Sequence, residues 1–155
     1  MTVGPNGYST LMAPPVTNSI DIQAPVQRVL EVVTDLENTD RWANEARSAE
    51  IAARAEDGRP SRIVVTLGAI GFTTTATYDV TYTDASLTLT CVEGALIKES
   101  TISYTAHEKG EGTTHLEMSS TMEVTVPVPQ WGLNRAMRRS ADKNLESVRK
   151  DAEAG

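Results

Sequence analysis

A nearly unbroken series of alternating strand patterns from about Ser61 to Pro129, followed by one long helical pattern, constrains this chain more than any other feature. Ile63, Val65 and Leu67 alternate with Arg62, Val64 and Thr66. Phe72, Ala76, Tyr78, Val80 and Tyr82 alternate with Thr73, Thr75, Thr77, Asp79 and Thr81. Leu87, Leu89 and Cys91 alternate with Thr88 and Thr90, and Leu116, Met118, Met122 and Val124 with Glu117, Ser119, Thr121 and Glu123. A period of two gives each strand one wet face and one dry face, as in a half-buried antiparallel sheet. The dry face needs a cover, and the long cover available is the helix expected from Gln130 to Ala152. Its stripe is Leu133, Met137, Ala141, Leu145 and Val148, spaced by three or four residues. A curved sheet closed over one helix leaves room for a ligand inside.

Residues 1–18, with Gly4, Pro5, Gly7, Pro14 and Pro15, read as a loose tail, and 19–152 as a single domain. Ser19–Gln23 alternates and forms a short first strand. Pro25 opens a helix at its first position, where a missing N–H costs nothing. A second short helix lies around Leu36–Trp42. Turns fall at Asp57-Gly58, at Gly68 and Gly71, at Thr83–Ser86, at Glu93-Gly94 and at Lys109–Gly112. Pro127 and Pro129 stop the last strand, because proline cannot donate to a ladder. The class is α+β: an antiparallel sheet gripping a C-terminal helix, with two short helices between strands one and two.

Composition removes several functions. The net charge of −7 opposes nucleic acid, whose phosphates demand a basic face. One cysteine permits no intramolecular disulfide, and with two histidines no metal site or other cofactor is expected. No apolar run approaches the ~18 residues needed to span a bilayer. No basic residue precedes Arg28, so no secretory signal is read, and a cytoplasmic location is expected.

Several phrases, in order, resemble the START-like (SRPBCC, helix-grip) superfamily, and within it the polyketide cyclase/dehydrase and lipid-transport branch of actinobacteria. Ser19-Ile20-Asp21-Ile22-Gln23-Ala24-Pro25 is similar to the opening strand and the entry into the first helix. Val32–Trp42 is similar to the segment leading to a tryptophan, although Arg41 stands where the family often has proline. Asp57–Ser61 resembles the hairpin before the third strand, and Thr121–Pro129 the exit into the grip helix. The resemblance spans roughly residues 18–152. It implies an elongated cavity between sheet and helix, and leaves the reaction open, since fold does not fix function.

Parity nominates the lining: Val65, Leu67, Ala76, Tyr78, Leu89, Leu96, Lys98, Ser100, Tyr104, Met118, Met122 and Met137, with Trp42 at the mouth that the resemblance implies. Lys98 and Ser100 share the face of Ile102 and Tyr104 unless a bulge intervenes. Lys98 is then the weak catalytic candidate, able to anchor a carboxylate or enolate; a lysine near a strand end also snorkels to water. Tyr78, Tyr82 and Tyr104 sit on dry faces, where a phenol hydrogen-bonds either a ligand or the protein itself. Cys91 is a small buried hydrophobe or a thiol in want of a cation. His107 and His115 flank a hairpin tip on the wet face. Arg135, Arg138, Arg139 and Lys143 form a basic stripe, either solvated or placed for transient contact with anionic headgroups.

No pair of carboxylates and no histidine falls on the dry face. The pattern therefore favours binding of a small hydrophobic or amphipathic ligand, lipid-like or polyketide-like, over catalysis. An aromatic polyketide cyclase or dehydratase is the alternative, and an interaction module with a collapsed cavity the third reading.

Overall fold

The computed structural model describes residues 15–41, 46–69 and 72–155. Strand β1 (Val16–Ile22) leads to helix α1 (Val26–Val33) and a 3-10 turn at Leu36–Arg41. Strands β2 (Ala46–Arg54), β3 (Pro60–Ala69), β4 (Phe72–Tyr82), β5 (Ser86–Gly94), β6 (Ile97–Gly110) and β7 (Thr113–Val124) follow, and helix α2 (Gln130–Ala154) closes the chain. All seven strands form one antiparallel sheet in the order β1-β7-β6-β5-β4-β3-β2. The expected α+β class and the two short helical segments are present. β1 begins before Ser19: Val16, Thr17 and Asn18 pair with Ser120, Ser119 and Met118, so the end of the expected tail belongs to the sheet. Residues 1–14 and Trp42 lie outside the described residues.

Meandering hairpins suit antiparallel pairing, because each short turn returns the chain beside its predecessor. Among the described residues, Gly58 at φ 87° and Gly112 at φ 71° hold turns that need a left-handed residue. At the first, Asp57 Oδ1 accepts the Arg59 N–H at 3.0 Å, bracing the tip of the β2–β3 hairpin.

Both helices start from a proline in the same way. Pro25 (φ −68°, ψ 157°) and Pro129 (φ −61°, ψ 141°) are N-caps, one position before the helix proper. Each carbonyl accepts a first helical bond, from Val29 N at 3.2 Å and from Leu133 N at 3.1 Å. The fixed φ thus supports the turn into each helix without asking proline for a donor.

α2 packs across β1 and β7 and against α1. Its buried residues are Leu133, Ala141, Asn144, Leu145, Val148 and Ala152: four of the five expected stripe residues with Asn144 and Ala152 added, while Met137 is half-buried. Arg28 of α1 reaches the C-terminal turn of α2, where Nη2 donates to the Asp151 carbonyl at 2.9 Å. A cation there satisfies end carbonyls that the helix cannot use. The core joins α1 (Val29, Val32, Val33) and α2 (Leu145, Val148) to the inner sheet face (Ile63, Val65, Ala76, Tyr78, Leu87, Leu89, Tyr104, Leu116, Met118). No described helix is long and apolar enough to cross a membrane.

A candidate ligand cavity at one end of the sheet

One end of the molecule gathers the end of β3 near Leu67, the start of β4 near Thr74, the β5–β6 turn, the β7–α2 connection and the first half of α2. Between them lies an apolar cavity of about 90 Å³. Its walls are Leu67 and Thr74 from β3 and β4, Leu96, Ile97 and Ile102 at and within β6, and Met118, Ser120, Thr121, Met122 and Val124 of β7. Val126 and Val128 of the connection and Leu133, Ala136, Met137 and Ser140 of α2 complete it. Hydroxyls of Thr74, Ser120, Thr121 and Ser140 are its side-chain polar groups, and no ionisable side chain is among the described lining residues. Thr74 Oγ1 and Thr121 Oγ1 are buried without a hydrogen-bond partner.

Five residues expected from parity line this cavity: Leu67, Leu96, Met118, Met122 and Met137. Val65, Ala76, Tyr78, Leu89, Ser100 and Tyr104 face inward as expected, but they pack in the core beyond the cavity wall. There the Tyr78 hydroxyl donates to Ser100 Oγ at 3.1 Å. Tyr82, also half-buried, donates to the Pro60 carbonyl at 2.6 Å, so its partner is the protein backbone.

Lys98 requires a correction. It is exposed, whereas Ile97 and Ser100 on either side are buried. Ile97 pairs with Val124 and Glu99 with Glu123, which leaves Lys98 as an extra residue in a bulge. The bulge resets parity, so Lys98 leaves the inner face and Ile97 enters the cavity wall. The weak catalytic candidate is therefore outside the cavity.

Leu133, already named in the helix stripe, also lines the cavity, as do Ser120, Thr74, Ala136 and Ser140, which parity and helix periodicity carry as well. Ser120 falls between Met118 and Met122 in parity, Thr74 precedes Ala76 and Tyr78, and the helical residues share the Met137 face. Val126 and Val128 continue the alternation past the end of β7 between prolines, a signal obscured by the absence of a paired strand.

The remaining ionisable groups sit elsewhere. Cys91 is half-buried on the inner side, and burial pushes its thiol up, away from nucleophilic use. His107 and His115 pair across β6 and β7 on the outer face with ring centroids 6.5 Å apart. His115 Nδ1 lies 2.8 Å from Asp21 Oδ1, and Lys109 pairs with the other carboxylate oxygen. Hydrogen bonds from Lys109 and then His115 hold the Asp21 carboxyl below the usual range. Glu99 and Glu123 meet on the outer face; desolvation, then the Glu123 hydrogen bond, raises Glu99. Among the described residues no group of three or more His, Cys, Asp or Glu could hold a metal ion.

A second recess of about 620 Å³ lies between α1 and the β4–β5 turn, lined by Val26, Leu30, Arg59, Tyr82 and Asp84 among others. It is larger but open, and Arg59 stacks 4.2 Å above the Tyr82 ring within it. Its apolar lining favours the first cavity as the ligand site.

A family model described as polyketide cyclase / dehydrase and lipid transport matches residues 14–153. No curated protein matches the chain in sequence. Among solved structures, a START superfamily protein from Mycobacterium smegmatis is 22% identical with a TM-score of 0.76, over 92% of this chain and 96% of that one. A protein from Thermus thermophilus is 21% identical with a TM-score of 0.78, over 91% and 98%. The Zhui aromatase/cyclase from Streptomyces sp. R1128 is 15% identical with a TM-score of 0.75, over 90% and 93%. At these identities the likeness concerns the fold.

Proposed function

The chain belongs to the polyketide cyclase / dehydrase and lipid transport family, and we propose that it binds one small, uncharged, amphipathic molecule, lipid-like or polyketide-like, in the cavity between the sheet and α2. One observation carries this reading: the lining is apolar apart from four hydroxyl-bearing residues and has no ionisable side chain among the described residues. The apolar part of the ligand is driven in by buried area, at roughly 25 cal/mol per Å². The hydroxyl-bearing residues of the lining are the polar groups available to orient the ligand. A free carboxylate has no cation to meet there, and burying it unpaired is costly.

Size narrows the class. About 90 Å³ is small beside the roughly 300–1,000 Å³ of drug-sized pockets. A short or medium acyl or isoprenoid group fits this volume better than a long chain. Met118, Met122 and Met137 line it, and unbranched methionine re-packs more readily than leucine or isoleucine, so modest enlargement is available. A cytoplasmic setting belongs to the same proposal.

A cyclase or dehydratase acting on an aromatic polyketide is the second reading. The fold shared with an aromatase/cyclase supports it. It needs a placed acid or base, and Lys98 no longer offers one. A collapsed interaction module is the third, and the small volume speaks for it.

Titration with uncharged fluorescent probes of graded chain length separates the three. The carrier reading expects saturation near one probe per chain, with an optimum at short to medium length. Absence of saturable binding at every length overturns it in favour of the module. Protein-dependent cyclisation of a reactive poly-β-ketone overturns it in favour of the enzyme.

A further inference from the structure

We propose that the outer face of the first half of α2 docks on an anionic lipid bilayer, with Trp131 as its interfacial anchor. Trp131 is 69% exposed, and it and Val92 are the large hydrophobics left exposed among the described residues. At 3.6 residues per turn, Trp131, Arg135 and Arg138 stack along one line, with Arg139 and Lys143 flanking it. All five side chains are exposed. They point away from the helix face that carries Leu133 and Met137.

Among the described residues, the cations of this face are clustered and without carboxylate partners, whereas most cations elsewhere are paired. Arg28, Arg54, Arg59, Arg62, Lys109 and Arg149 each pair with a carboxylate. Arg138, Arg139 and Lys143 make no ion pair among the described residues, and the Arg135 guanidinium lies 5.8 Å from the Trp131 ring centroid. The acid within the stripe, Asp142, accepts a hydrogen bond from Asn18 Nδ2 at 2.7 Å. Of the cations without an ion pair among the described residues, four (Arg135, Arg138, Arg139 and Lys143) cluster on this helix face around one exposed indole, while Lys98 and Lys150 lie apart from it, in a chain of net charge −7.

An indole with an apolar body and a polar N–H suits the headgroup level of a bilayer, and flanking cations suit anionic headgroups. The face is the convex side of one helix, which fits a planar bilayer better than the shaped partner of a protein hot spot. Position adds a third argument. The reverse side of the same helical turns lines the cavity, so docking brings the cavity end to the bilayer, where apolar ligands reside. The overall negative charge opposes approach in any other orientation, and binding is therefore both oriented and salt-sensitive.

Co-sedimentation with phosphatidylglycerol/phosphatidylcholine vesicles and with pure phosphatidylcholine vesicles tests this. The expected result is partition to the anionic vesicles alone, reversed at about 0.5 M salt, with a blue shift of tryptophan emission that is lost in Trp131→Phe. Arg138→Glu/Arg139→Glu lowers partition at least about tenfold, and Arg138→Lys/Arg139→Lys retains it. Ala136→Phe, which fills the cavity, leaves partition unchanged, so a failure of the ligand reading is seen separately. No partition to anionic vesicles, equal partition to neutral ones, or full retention by the charge-reversed variant overturns the proposal. Binding to polyglutamate without binding to vesicles also overturns it, and assigns the face to an acidic macromolecule.

Discussion

Tyr78 of β4 and Ser100 of β6, two strands apart, are joined by a 3.1 Å hydrogen bond across the inner face of the sheet. Each residue is 1% exposed. The bond spans β5 from above, and it gives each hydroxyl a protein partner inside the core. Tyr78→Phe removes the donor and keeps the ring. The expected loss is about 1–2 kcal/mol in urea denaturation, with probe affinity unchanged. A large fall in affinity at unchanged stability would place the ligand against this pair instead of beside Met122.

Ala136 on α2 and Met122 on β7 both line the cavity. Ala136→Phe is expected to abolish binding of the uncharged probe by occupying its space, at a stability change of about 1–3 kcal/mol in either direction according to how well the ring fits. Met122→Glu is expected to weaken binding by placing a charge in an apolar wall. Lys98→Met, in the exposed bulge, is expected to leave binding within twofold (about 0.4 kcal/mol). Isothermal titration of the three variants checks the placement.

Asp21 links the sheet edge to β6 and β7 through Lys109 and His115. Its carboxyl is held low, so its contribution to stability is present above the unfolded-state pKa and lost as pH falls through the folded one. Asp21→Asn is therefore expected to be less stable than the parent at pH 7, with the difference closing under acid. Thermal melts from pH 7 down to pH 2 read this; a gap that stays constant across that range refutes it.

Glu99 behaves with the opposite sign. Desolvation and the neighbouring Glu123 raise its carboxyl, so the folded state holds its proton more tightly. That contribution is complete below the unfolded-state pKa and lost as pH rises through the raised one. Glu123→Gln is expected to gain a few tenths of a kcal/mol at pH 7, and the gain should vanish on acidification. An equal gain at pH 3 would point to packing in place of charge.

Leu145 is 1% exposed at the centre of the face that α2 buries. Leu145→Ala is expected to cost about 2–5 kcal/mol, the largest effect among these substitutions. A cost under 1 kcal/mol would mean that α2 does not grip the sheet through this face.

The alternation of Ile63–Leu67, Ala76–Tyr82 and Leu116–Val124 determined by itself which faces of the sheet are dry, because the pleat places every second side chain on the same side. The spacing of Leu133, Ala141, Leu145 and Val148 likewise determined the buried stripe of the closing helix. Both are local periodicities, carried by neighbouring residues. The tertiary structure alone decided which inward residues border empty space. Val65, Tyr78 and Leu89 share parity with Leu67 and Met122, yet they are packed solid, because emptiness depends on how far sheet and helix separate at each point. Lys98 changed face through one inserted residue in a pairing with β7 more than twenty residues away, a register shift that no pattern within β6 announces. Trp131 begins a helix whose other face is buried, so its apolar character alone suggested neither side; the packing of α2 on β1 and β7 turned it to the surface beside the cations.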